Sequence, residues 1–121
     1  NEPQEYDPNN LEALMVPRNK EVEIYDFIIK ECQEAALELP DTRNSDAKYR
    51  ANKYVALALC SRAALYADSI ARYGNVQLDG LVGISSSDAD RFFQVSYDVS
   101  KTIISSGLYE LYNKKPDNKW R

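Results

Sequence analysis

An all-α fold, three helices between an extended lead and an extended tail, is what the sequence predicts, and three observations carry it. The run from Ala51 to Gly74, ANKYVALALCSRAALYADSIARYG, is apolar on nearly every face, with alanine at 51, 56, 58, 63, 64, 67 and 71. Apolar residues recur at alternating spacings of three and four through Val22, Tyr25, Ile29, Cys32, Ala36 and Leu39. The same period returns in Phe92, Val95, Val99 and Ile103, with Ile104 beside it. Recurrence near 3.6 residues places side chains on one helix face, whereas a strand would repeat every two.

Residues 1–18 read as an extended strap. Pro3, Pro8 and Pro17 fix their own backbone and push the preceding residues towards extended geometry. Leu11, Leu14, Met15 and Val16 are its expected anchors. The first helix is expected over 20–39, with Asn19 as N-cap and Glu21 and Glu23 in the electropositive first turn. Ile28 and Ala35 widen its apolar stripe, and Pro40 stops it.

Asp41 to Asp46 is a polar turn into the second helix, expected over 47–73, with Gly74 in the position of a C-terminal cap. A helix apolar all round is expected to be buried all round, and its alanines let neighbouring helices approach closely. Residues 75–87, NVQLDGLVGISSS, hold Gly80, Gly83 and three successive serines, and read as a long loop. Loops of that length are often functional. Ser86 or Ser87 is the expected N-cap of a third helix over 88–106, with Asp88 and Asp90 at its start. Gly107 ends it, and LYELY (Leu108 to Tyr112) suits a short extended segment. The tail is 113–121.

Composition narrows the function. Among 121 residues, 15 basic against 19 acidic side chains give a net charge of −4 and a pI near 4.8. The two signs alternate along the chain, so no basic patch for nucleic acid is expected. No apolar run approaches the length that spans a membrane, so no transmembrane span is expected. Cys32 and Cys60 fall mid-helix on apolar faces and read as buried thiols acting as small hydrophobes, a disulfide between neighbouring helices being the alternative. Two cysteines without a histidine argue against a zinc site.

Catalysis is not expected. The chain has no histidine, the commonest general base. Asp88 with Asp90, and Glu21 with Glu23, each start a helix, where the dipole favours carboxylates and residues two apart do not face each other. DGLVG lacks the lysine of a phosphate-binding loop, and Asp79 to Asp90 lacks the alternating ligands of a calcium loop. No cofactor and no metal are expected.

VPRN (Val16 to Asn19), EIYDFIIKECQEAALELP (Glu23 to Pro40), ALALCSRAALYA (Ala56 to Ala67) and TIISSGLYELY (Thr102 to Tyr112), in that order and spacing, resemble the SusD/RagB family. Members of that family are surface-exposed outer-membrane lipoproteins of Bacteroidetes that bind glycans or other nutrients beside a TonB-dependent transporter. The resemblance covers roughly residues 14–112. Because the family's chains are much longer, it implies a fragment of the helical scaffold, built from degenerate tetratricopeptide-like helix pairs over 19–112, with further sequence beyond the tail. The long loop and the absence of the usual repeat markers depart from a standard repeat.

The resemblance implies an oligosaccharide or other nutrient as the intact protein's ligand and the transporter as its protein partner. No family binding residue maps onto this segment. From the residues alone, Tyr25, Tyr54, Tyr66 and Tyr97 occupy helical positions that packing explains, and Tyr109 and Tyr112 dock onto the helices. Tyr73, Asn75 and Gln77, at the mouth of the long loop, are the candidate ligand-binding residues. Trp120 lies in the tail. The rival expectation is a free-standing helical adaptor holding a protein or peptide between helices.

Overall fold

The computed structural model of the protein describes Glu12 and residues 15–111, and among these it is all-α. Its helices are α1 (Glu21–Glu38), α2 (Lys53–Tyr73) and α3 (Ala89–Ser105). They run antiparallel in sequence order, and α2 packs against both of the others. At their N-terminal ends α1 and α3 also meet. There the Tyr25 and Phe92 rings stand edge to face at 6.5 Å, and Arg91 grips the Asp26 carboxylate with both Nη atoms, at 2.5 and 3.0 Å. No helix among the described residues is long and apolar enough to cross a membrane.

The boundaries follow from caps. α1 begins one residue later than Asn19 would place it, because Lys20 is the N-cap and its N–H donates to the Glu23 carboxylate at 2.9 Å. The helix ends where Leu39 turns extended ahead of Pro40, whose ring excludes helical geometry from the residue before it. α2 starts at Lys53 rather than 47. Asn52 Oδ1 accepts from the Val55 N–H at 3.0 Å, a strong N-cap, while Ser45–Ala47 forms a separate 3-10 turn. The connector is tied down by Lys53 N–H to the Pro40 carbonyl and by Arg43 Nε to the Ala51 carbonyl. α3 follows a 3-10 turn at Ser86–Asp88, so its cap lies upstream: Ser85, not Ser86 or Ser87, accepts from the Ser87 N–H.

Periodicity locates the core. α1 buries Ile29, Cys32 and Ala36, with Val22, Tyr25, Ile28, Ala35 and Leu39 packed beside them. α3 buries Phe92 and Val99, flanked by Val95 and Ile103. Ile104, expected in that stripe, is 76% exposed, since the next residue along a helix points about 100° away. Met15 and Val16 are exposed rather than anchored, and Leu11 and Leu14 lie outside the described residues.

The expectation that α2 is buried all round does not hold. Its inner side carries Ala56, Leu57, Cys60, Ala64, Ala67 and Ala71 into the core. Its outer side leaves Val55, Leu59 and Tyr66 exposed at 54%, 52% and 60%. Two neighbouring helices cover only one side of a cylinder, and nothing among the described residues covers the other.

Both cysteines are free and buried. The Cys60 thiol donates weakly to the Ile29 carbonyl, and burial, with a smaller push from Cys32, raises its pKa from 9.0 to about 11. The buried Asp68 is met by Arg72 Nε at 2.6 Å, and Arg72 Nη2 also reaches Asp90 at 2.8 Å, tying α2 to α3.

Phe92 is fully buried at the junction of the helices. Phe92→Ala is expected to cost about 3–5 kcal/mol in urea unfolding. The raised Cys60 pKa adds a pH effect. Below about pH 9 both folded and unfolded thiols are protonated; between about 9 and 11 only the unfolded one ionises. Stability therefore falls through that window, by up to about 1.4 kcal/mol per unit from this group, and Cys60→Ala flattens the slope. Parallel urea titrations of the two proteins from pH 8 upward measure it.

Candidate functional site

The segment between α2 and α3 is more structured than a 13-residue glycine- and serine-rich stretch suggests. Gly74 closes α2 by donating to the Ile70 carbonyl at 2.8 Å. Gln77 and Val82 then pair as a single antiparallel bridge around a tight turn in which Leu78, Asp79 and Gly80 all take positive φ, 50°, 53° and 89°. Left-handed geometry at a leucine is sterically costly, of order 1–2 kcal/mol. Leu78 is also 70% exposed, so no burial of its side chain offsets the strain.

Two contacts hold this turn on the helices. The Gly83 N–H donates to the Glu21 carboxylate at the start of α1. Ile84, 2% exposed, drops into the core. Gly83 has φ +85°, and a Cβ there would strike the Asn75 carbonyl. The turn, the first turns of α1 and the end of the strap enclose a cleft of about 440 Å³. Its floor is Ile24, Ile28 and Val82, its rim Arg18, Asn19 and Glu21, with Tyr25 between. Burial first, then the charges of Glu21 and Tyr66, raises the Tyr25 phenol above its ordinary pKa.

The three candidate residues do not line this cleft. Tyr73, on the last turn of α2, is 85% exposed, and Asn75 and Gln77 are exposed beside it. Gln77 spends both its backbone polar groups on Val82, leaving its side-chain amide open to solvent. The cleft itself carried no signal in the sequence, because it joins the start of α1 to a turn some sixty residues later, as the Glu21–Gly83 contact shows.

The carboxylates at the helix starts all hold structural partners. Glu21 receives Gly83, Glu23 caps Lys20, Asp88 binds Arg91 at 2.6 Å and Asp90 binds Arg72. Among the described residues no three cysteine, aspartate or glutamate side chains converge as metal ligands.

The second feature is the open side of α2. Val55, Leu59, Tyr66 and Tyr73 follow one another at spacings of four and seven, a single stripe of exposed apolar surface. α3 carries a matching exposed stripe of Phe93, Tyr97 and Ile104. Of the four helical tyrosines expected to be packed, Tyr25 and Tyr54 are; Tyr66 and Tyr97 are 60% and 52% exposed because they point along these stripes. Tyr109 does dock, 5.5 Å from the Tyr54 ring with its hydroxyl accepting from Asn52 Nδ2 at 3.1 Å. Tyr112 and Trp120 lie outside the described residues.

No family profile, curated protein or solved structure matches the chain.

Gly83 and Gly107 separate backbone strain from collision. Both have positive φ, but a Cβ at Gly107 meets nothing within 4 Å. Gly107→Ala is expected to cost about 1 kcal/mol, and Gly83→Ala clearly more, with loss of the Glu21 contact. Urea unfolding with amide exchange at residue 83 reads both.

Proposed function

We propose that this chain is a non-catalytic scaffold segment of a SusD/RagB-type lipoprotein, exposed on the outer membrane and working with a TonB-dependent transporter. The observation that carries the reading is the open side of α2. A helix apolar on nearly every face needs neighbours on most of them, and repeat scaffolds supply these by stacking further helix pairs. The antiparallel order of α1, α2 and α3 suits such a stack. The phrases that carry the resemblance also fall at structurally busy places. SRAALYA lies on α2, and SGLYELY carries Tyr109 back onto Tyr54.

In this reading the intact protein captures an oligosaccharide or other nutrient, and the segment supports the site rather than forming it. Tyr73, Asn75 and Gln77, all exposed, are the residues of this segment proposed to touch a ligand reaching over the loop. No reaction is involved. The carboxylates at the helix starts are engaged in caps and ion pairs, and the Cys60 thiol is buried with its pKa raised, the reverse of an activated nucleophile. A free-standing helical adaptor is the alternative, favoured by the apolar groove between α2 and α3.

Oligosaccharide-array binding by this chain, shown folded by circular dichroism, alongside the intact parent tests the proposal. Binding by the parent alone is expected. Binding by the chain alone, abolished in Tyr73→Ala/Gln77→Ala, would move the site into the loop. Silence from both would overturn the glycan reading in favour of a protein or peptide ligand.

A further inference from the structure

We infer that the groove between α2 and α3 docks an amphipathic α-helix from outside residues 1–121, one whose apolar stripe is flanked by carboxylates. The inference rests on this face alone and not on the family reading.

The groove has a defined floor and walls. Ser61 Oγ lies 3.1 Å from Ser96 Oγ and 2.7 Å from Ser100 Oγ, so small hydroxyls bring the two helices together at its base. On either side rise exposed apolar residues, Val55 and Leu65 from α2, Phe93 and Tyr97 from α3. Two apolar hollows dent it. One, of about 200 Å³, is bounded by Val55, Ala58 and Tyr109; the other, of about 270 Å³, by Tyr97 and Ile104. Each falls below the usual volume of a small-molecule pocket, about 300–1,000 Å³, and suits single inserted side chains. On the α2 wall Val55, Ala58 and Leu65 recur at three and seven, and on the α3 wall Phe93, Tyr97 and Ile104 recur at four and seven. These spacings match the anchors of a helix laid along a groove.

Charge selects the class of helix. Lys30, Lys53, Arg72 and Arg91 each pair with a carboxylate. Arg62 and Lys101, the cations beside the groove, form no ion pair with any described residue. Arg62 follows Ala58 by four residues and precedes Leu65 by three on the same wall of α2, and Lys101 lies beside Tyr97, with its Nζ 5.8 Å from the ring centroid. The outer face of α2 from Val55 to Tyr66 bears no carboxylate at all. An apolar groove edged by two unanswered cations is complementary to an apolar stripe edged by acids.

The test uses this chain with two labelled synthetic peptides of about 18 residues, long enough to form a helix. Both carry leucine at i, i+4, i+7 and i+11; one has glutamate flanking the stripe and the other lysine. In fluorescence anisotropy the glutamate peptide is expected to bind saturably at micromolar concentration, and the lysine peptide about tenfold more weakly. Arg62→Glu/Lys101→Glu, exposed positions whose fold circular dichroism verifies, is expected to reverse the preference. Equal binding of both peptides to the unaltered chain, or no saturation with either, overturns the inference. Sedimentation velocity without peptide is expected to show a monomer. Concentration-dependent association that the double variant abolishes would assign the face to a second copy of this chain and also overturn it.

Discussion

Everything in this structure depends on α2 being thin. Ala56, Ala64, Ala67 and Ala71 line its inner side, and the small Ser61 stands where α3 crosses. Small side chains bring helix axes together, so backbone and Cβ atoms rather than long side chains make most of the contact. Such an interface is close but contributes little apolar area per residue. The bulk of the core has to come from elsewhere, and it does: Phe92 from α3 and Ile84 from the loop are the large side chains that disappear completely. This explains why a glycine-rich loop is so carefully tethered. Its bridge, its left-handed turn and the Gly83–Glu21 contact all place Ile84.

The two ends of the bundle are held by different physics. At the start of α3, Arg72 joins Asp68 to Asp90, and Arg91 joins Asp26 to Asp88 while lying 4.0 Å over the Phe92 ring. The Arg91 pairs are half exposed, so they add little net stability; their geometry fixes how α1, α2 and α3 meet. At the opposite end the contact is aromatic, Tyr54 against Tyr109, with Asn52 serving both as α2 cap and as donor to the Tyr109 hydroxyl. One side chain thereby links the start of α2 to the return of the chain after α3.

What was legible in the sequence was whatever a helix period can encode. The buried face of α1 is the regular three- and four-residue recurrence from Val22 to Leu39, and it is legible even though Ile24, Phe27 and Leu37 stand exposed outside it. The start of α2 lies at Lys53 rather than 47 because no Gly or Pro between these positions marks a break, whereas the Asn52 cap acts only through a local hydrogen bond. The outer side of α2 was misread for a subtler reason. Composition says that a helix wants neighbours all round but not that this chain supplies them. Ile104, Tyr66 and Tyr97 failed in the same way. The cleft beside α1 was invisible, since it depends on Glu21 meeting Gly83 across most of the fold.

These limits bear on function directly. A mismatch between what a helix asks for and what it receives leaves apolar surface open to solvent. On α2 the mismatch is large: Val55, Leu59 and Tyr66 are each at least half exposed along one continuous line. Scattered exposed hydrophobes are common on any protein surface, but residues recurring at helical spacing on α2, and again as Phe93, Tyr97 and Ile104 on α3, are not scatter. The chemistry-bearing groups point the other way. Carboxylates at the helix starts are consumed by caps and arginines, the thiols are sealed in the core, and the cleft rim spends Glu21 on Gly83. The groove left open between α2 and α3 is apolar and edged by Arg62 and Lys101, and it is on that chemistry that the proposed helix docking rests.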